Sequence, residues 1–151
     1  MKSEQVKTPW HVWVIGILSL LWNAMGANDY TQSQLGNRDY MESMTGTYSI
    51  TVDEMLAYID GFPVWADASW AFGVWGSVAG SLLLLVRSRF ALWSFIAAAV
   101  GLVVTSVYQF SGAMPAAMQG TGQLIFAGLI WVMTGLLIYY SWRMTQRGVL
   151  R

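Results

Sequence analysis

Residues 61–89, GFPVWADASWAFGVWGSVAGSLLLLVRSR, form a long apolar run that decides the fold. Asp67 lies near the start of the run, and two arginines end it. Pro63 suits the first turn of a helix, because the N–H that proline lacks would have no intrahelical partner there. The run beyond Pro63 exceeds the ~20 residues that a helix needs to cross a ~30 Å hydrocarbon layer. The stretch therefore predicts a membrane-spanning helix over about 63–86.

The composition of the whole chain agrees with this prediction. Of its 151 residues, 56% are hydrophobic and only 11% are charged, whereas about a quarter of the residues in soluble domains are charged. The chain has no cysteine, which excludes disulfides and thiolate metal sites. No basic cluster indicates a nucleic-acid partner. We therefore expect an all-α integral membrane protein that contacts the lipid bilayer.

Three further apolar segments accompany the first, so that spans are predicted at about 10–28, 63–86, 90–110 and 121–142. The connection between the second and third spans is very short, which makes those two helices antiparallel neighbours. Residues 29–62 form the single long loop. The prediction is one membrane domain over 1–151, a four-helix bundle with one structured extracytoplasmic loop.

The first apolar segment has two interpretations. It follows a basic head and has small residues at Ala24 and Gly26, as a cleaved signal peptide would. Its apolar stretch is longer than the ~7–15 residues of a signal core, and bulky Trp22 lies near the supposed cleavage site. These features favour a retained helix. Cleavage would leave three spans in the same orientation.

The basic residues predict the orientation of the spans. All but Arg38 fall on one side if both termini are cytoplasmic, as the positive-inside rule favours. The residues on that side are Lys2, Lys7, Arg87, Arg89, Arg143, Arg147 and Arg151. The expected location is a bacterial inner membrane, with both termini in the cytoplasm.

The long loop contains predictable local structure. Thr51 and Glu54 have the spacing of a capping box, which predicts a short helix over about 52–59 with one apolar side. The earlier part of the loop has the residues for another short amphipathic turn. Breaks are expected at 36–37 and at 45–47, where glycine lies beside asparagine or threonine.

Polar residues inside apolar spans are costly, so they are the first candidates for a functional site. All four spans carry such residues at a similar depth, near the loop, and together they predict a polar pocket beneath it: Asn23, Asp67, Tyr108, Gln109 and Gln123. The alternative is that these residues lie at helix ends, where nearby water makes polar side chains inexpensive. The partner of Asp67 would be Asn23, Gln123, a solute or interfacial water.

Small residues define a second face of the second span. Gly73, Gly76 and Gly80 fall together at about 100° per residue, nearly opposite Asp67, and small residues allow another helix to approach closely. Packing within the bundle and a dimer face are both compatible with this pattern. Packing within the bundle is the more usual use of such residues.

No motif indicates catalysis. The chain has one histidine, His11, and no Ser/His/Asp set, phosphate loop or nucleotide fingerprint. We expect no catalytic residues, no metal site and no cofactor, and the chain is not expected to be an enzyme.

Three segments carry a resemblance to a known family: GILSLLWNAMGA (16–27), YIDGFPVW (58–65) and AFGVWG (71–76). They resemble a family of small four-span membrane proteins from proteobacteria, uncharacterised for the most part, of which some are automatically labelled sugar transporters. The resemblance covers nearly the whole chain and implies four retained spans. It carries over no binding residues.

Two functions remain open at this point. One is binding or transport of a small polar solute such as a sugar, with the polar cluster as its site. A chain this small would need to form a homo-oligomer for alternating access. The other is a non-catalytic accessory subunit that holds a partner in a larger membrane complex.

Overall fold

The computed structural model describes residues 7–151, and these form helices joined by short connections. The helices are α1 (Trp10–Gln34), α2 (Arg38–Tyr48), α3 (Val52–Asp60), α4 (Val64–Leu85), α5 (Phe90–Tyr108) and α6 (Thr121–Gln146). Four of them are long and apolar enough to cross a membrane, namely α1, α4, α6 and α5 with its extension to Ala113. The prediction of an all-α chain with four candidate spans is confirmed.

A helical hairpin of α2 and α3 lies between the first two spans. Its second helix begins with the predicted capping box: the Glu54 N–H donates to Thr51 Oγ1 over 3.2 Å, and the Thr51 N–H donates to Glu54 Oε2 over 2.8 Å. The break expected at 45–47 is wrong, because α2 continues through it and ends before Ser49, whose φ is 53°. A single glycine flanked by threonines lowers helix propensity but does not by itself end a helix.

The first span is longer than predicted, because α1 continues through polar residues to Gln34. This extension has partners outside the apolar part of the bundle. The Tyr40 hydroxyl of α2 donates to Asp29 over 2.9 Å, and the Gln34 amide donates to Asp67 of α4. The expected break at 36–37 is present, with Gly36 at a φ of 59°. The polar loop therefore begins one to two turns later than composition alone indicates.

Helices α4 and α5 form the closest helix pair, and the glycines of α4 face α5. A Cβ atom added at Gly76 would meet Ala98 at 3.3 Å, and one added at Gly80 would meet the Phe95 ring at 2.7 Å. A Cβ on Gly73 would lie 3.4 Å from the α5 backbone. Ser94 of α5 also donates to the Gly76 carbonyl over 2.8 Å. These glycines are therefore used for helix packing inside the chain.

A buried apolar cluster closes the end of the bundle where α1 begins and α6 ends, which we call the terminal end. Its members come from α1, α4, α5, α6 and the C-terminal residues: Val12, Leu84, Ala91, Phe95, Leu137, Met144, Val149 and Leu150. The last residue, Arg151, pairs through its backbone with Arg87 and Arg89 at 2.9 and 3.0 Å. The opposite end, covered by α2 and α3, is the hairpin end.

Candidate functional site

A cavity of about 420 Å³ lies in the hairpin half of the bundle. Side chains of all four long helices form its walls, and side chains of α2 and α3 complete the lining. Its size is within the range of ~300–1,000 Å³ that is usual for small-molecule sites. The cavity is therefore the principal candidate for a functional site among the described residues.

Helical spacing explains how each helix contributes one face to this cavity. The lining residues of α1 include Trp22, Gly26, Asp29 and Ser33, which are four, three and four positions apart. Side chains three or four positions apart share one helix face. The same spacing occurs on α6 at Gln123, Ala127, Ile130 and Thr134.

Three of the five predicted site residues line the cavity: Asn23, Gln109 and Gln123. They come from α1, from the segment after α5 and from α6, so the structure brings together three polar groups that are distant in sequence. The other two, Asp67 and Tyr108, are not among its lining residues. The five predicted site residues are thus divided between the cavity lining and the part of the bundle beside it.

Asn23 joins two helices at the side of the cavity. Its amide nitrogen donates to the Ser77 carbonyl over 3.2 Å and to Ser81 Oγ over 2.9 Å, both on α4. Both N–H groups of the amide are therefore engaged in holding α1 against α4. Only its carbonyl oxygen remains as an acceptor for a solute.

Asp67 and Tyr108 have partners elsewhere at the hairpin end. Asp67 accepts a hydrogen bond from Gln34, instead of from the Asn23 or Gln123 considered from the sequence. The Tyr108 hydroxyl donates to the Gly61 carbonyl over 3.2 Å, and its ring packs edge-on against Phe62 at 4.8 Å. Asp67 therefore joins α4 to the end of α1, whereas Tyr108 joins α5 to the junction between α3 and α4.

Gln109 lies where α5 changes its winding. Residues Gln109–Ala113 form a π-helical turn that includes Gly112 at a φ of 102°, a conformation that favours glycine. Such turns occur frequently at functional sites. No hydrogen bond joins the Gln109 side chain to another described residue, so its amide is available to a ligand in the cavity.

Several polar residues that line the cavity were not among the predicted site residues, including Asp29 and Tyr58. Asp29 falls at the first position of the predicted loop, but its spacing from Trp22 and Ser33 along one helix face would have identified it. The Tyr58 hydroxyl is buried without a hydrogen-bond partner among the described residues. Burial, with a smaller contribution from Tyr108, raises the pKa of Tyr58 to about 12, so its hydroxyl stays neutral.

Aromatic rings form one side of the cavity. The Phe62 ring centroid lies 5.7 Å from that of Trp70 and 5.1 Å from that of Tyr58, and all three residues line the space. Tyr30 packs edge-on behind Trp70 at 4.9 Å. Three methionines of the hairpin, Met41, Met44 and Met55, add adaptable apolar surface.

Within residues 7–151, no group of three or more histidine and acidic side chains is arranged to hold a metal ion. Comparison of the chain with protein-family models, with curated proteins and with solved structures found no match. The fold and the cavity define a class: a chain with four long helices that could cross a membrane and a cavity lined by all four of them.

Proposed function

We propose that this chain is a membrane protein that binds a small solute in the cavity at the hairpin end. The cavity itself supports this proposal most directly: it has the volume of a ligand site, helices from every part of the chain line it, and Asn23, Gln109 and Gln123 supply polar groups. The proposal is non-enzymatic. It includes no cofactor.

The lining favours a solute with an apolar body and few polar groups over a sugar. A sugar needs a hydrogen-bond partner for most of its hydroxyls, because a buried polar group without a partner is costly. Aromatic and methionine side chains make up much of this wall, and Asn23 already uses both its N–H groups on α4. Small apolar sites with a few convergent polar groups are the usual form of a ligand pocket.

Binding has more support than conduction through the bundle. The buried apolar cluster at the terminal end includes Leu84, Phe95 and Leu137, from three different helices. Alternating access would have to separate these side chains. Transport therefore requires a second conformation or a homo-oligomer, whereas binding requires neither.

The proposed location is a bacterial inner membrane, with both termini in the cytoplasm. The basic residues Arg87, Arg89 and Arg143 lie at helix ends on the terminal side, where the positive-inside rule favours them in the cytoplasm. Reporter fusions at Arg151 and within α2 test this orientation. A periplasmic signal from the C-terminal fusion would contradict it.

A matched pair of substitutions tests the cavity. Val74 lines it, whereas Val132 is 58% exposed on α6 and does not. We expect V74F to abolish the rise in melting temperature that a bound solute produces, because its ring would occupy the cavity, and V132F to retain that rise. A panel of sugars and of small amphipathic alcohols and amines would be screened with the purified protein. Equal responses of the two variants would place the binding site elsewhere.

A second candidate is the non-catalytic accessory subunit. Gly128 and Gly135 lie seven positions apart on α6, and an added Cβ would meet nothing within 4 Å at either. A face of small residues allows a partner helix to approach closely. Purification from native membranes in mild detergent tests this candidate: a stoichiometric partner that G128L releases would support it, and a protein that purifies alone would not.

A further inference from the structure

One described residue of the cavity lining, Asp29, has an acidic side chain. Among the described residues that line the cavity, Asp29 is the sole acid, and none is a lysine, arginine or histidine. Its carboxylate is half-buried and accepts a hydrogen bond from the Tyr40 hydroxyl over 2.9 Å. A neutral hydroxyl can share the carboxylate's lone pairs but cannot balance its charge.

The described part of the chain supplies no cation to Asp29. The one ion pair among the described residues joins Arg38 to Asp53 over 2.8 Å, on the exposed side of the hairpin. A carboxylate that faces a mostly apolar space without a counter-ion is costly, and an organic cation in that space would offset the cost.

The aromatic wall has the complementary chemistry. A cation within about 6 Å of an aromatic ring face is attracted by the ring quadrupole, most strongly over tryptophan. Trp70, Phe62 and Tyr58 provide such rings in the same cavity as Asp29. The neutral Tyr58 hydroxyl, buried and without a partner, adds an acceptor for an ammonium N–H.

We propose that the cavity binds a small organic cation with an apolar body, such as an alkylammonium or arylalkylammonium ion. Asp29 acts as its counter-ion, the rings of Trp70, Phe62 and Tyr58 contact the cationic group, and the methionine-lined part of the cavity receives the apolar body. This inference rests on the proposed function, since it names the class of solute for the same cavity.

Three ligands of one skeleton separate charge from shape: 4-phenylbutylamine, 4-phenylbutanol and 4-phenylbutyrate, which are cationic, neutral and anionic at pH 7. Each is titrated into the full chain in an uncharged polyoxyethylene detergent, and binding is followed by calorimetry and by tryptophan fluorescence. We expect the amine to bind at least tenfold more tightly than the alcohol, and the acid to bind least. This comparison uses the wild-type protein alone, so it does not depend on the folding of any variant.

Two variants locate the charge. D29N removes the carboxylate from the cavity at constant shape, and D60N removes a carboxylate from an exposed position at the end of α3, outside the lining. We expect D29N to weaken amine binding at least tenfold and to leave alcohol binding unchanged, whereas D60N should change neither. Circular dichroism and the melting temperature verify that both variants are folded.

The outcomes separate the two proposals. If alcohol and amine bind equally, and D29N does not alter either, the cation is the wrong solute class although the cavity still binds a ligand. If D29N and D60N weaken amine binding equally, the effect is one of overall charge, and Asp29 is not the counter-ion. If none of the three ligands binds, while other amphipathic solutes stabilise wild type and V132F but not V74F, only the cation inference fails. If no solute does so, the proposed function fails with it.

Discussion

Substitution of Gly101 by alanine should separate α4 from α5. A Cβ atom at this position would lie 2.6 Å from the Ser69 carbonyl oxygen and 2.7 Å from the Gly73 amide nitrogen. Both are backbone atoms of α4, so no side chain can rotate to make room. Ordinary contact begins at 3.4 Å, so the two backbones would have to move apart by about 0.8 Å.

The free-energy change follows from two opposing effects. Overpacking a close contact costs about 1–3 kcal/mol, whereas replacing glycine by alanine inside a helix gains up to about 1 kcal/mol. G128A provides the control, because it makes the same change inside α6, where an added Cβ meets nothing within 4 Å. Since the helix term is common to both variants, their stabilities should differ by the overpacking cost of about 1–3 kcal/mol.

Thermal unfolding of the purified variants in one uncharged detergent measures this difference. At about 2–4 °C per kcal/mol for a chain of this size, G101A should melt about 2–12 °C below G128A. Size-exclusion chromatography verifies that both variants have the same oligomeric state. If the melting temperatures of the two variants agree, the tight contact between α4 and α5 is absent from the folded protein.

Two further predictions concern polar contacts. The Thr51 amide and hydroxyl hold the pKa of Glu54 below its ordinary value of 4.5, so this cap stabilises α3 above pH 4.5 and should be lost as the pH falls through the lowered value. The NMR shift of the Thr51 amide proton, which donates to Glu54, should follow that titration in the wild type and lose this step in E54Q. N23L should destabilise the bundle by about 1 kcal/mol, because it removes the hydrogen bonds from α1 to α4; chemical unfolding in a double-mutant cycle with S81A should give a coupling of about 0.5–1.5 kcal/mol, and additive effects would show that this contact contributes nothing.

The sequence was sufficient to predict the helices because their signals are local. The length of each apolar run identifies a span, Pro63 identifies the start of α4, and Thr51 with Glu54 identifies the start of α3. Helix ends in polar sequence were harder to predict. The extension of α1 to Gln34 depends on contacts with Tyr40 and Asp67, which are distant along the chain.

The candidate site was only partly predictable. The depth of a residue along a span can be read from the sequence, but the side of the helix that faces the cavity cannot. Sequence position placed Asn23, Gln123 and Asp67 at a similar depth. Whether each side chain faces the cavity depends on the rotation of its helix, which tertiary packing sets. Asp29 was not predicted because it lies just beyond the predicted span of 10–28, whereas α1 continues to Gln34 and places it in the cavity lining.

The volume of the cavity itself argues that something occupies it in the folded protein. The cavity is partly open, so its space of about 420 Å³ is accessible to water, to lipid chains or to a ligand. The polar groups of Asp29 and Gln109 make part of this space suitable for water or a ligand, and its apolar part suits hydrocarbon. An occupant with both characters would match both parts of the lining. Because a ligand that binds only the folded state raises stability, melting temperature is the appropriate first measurement.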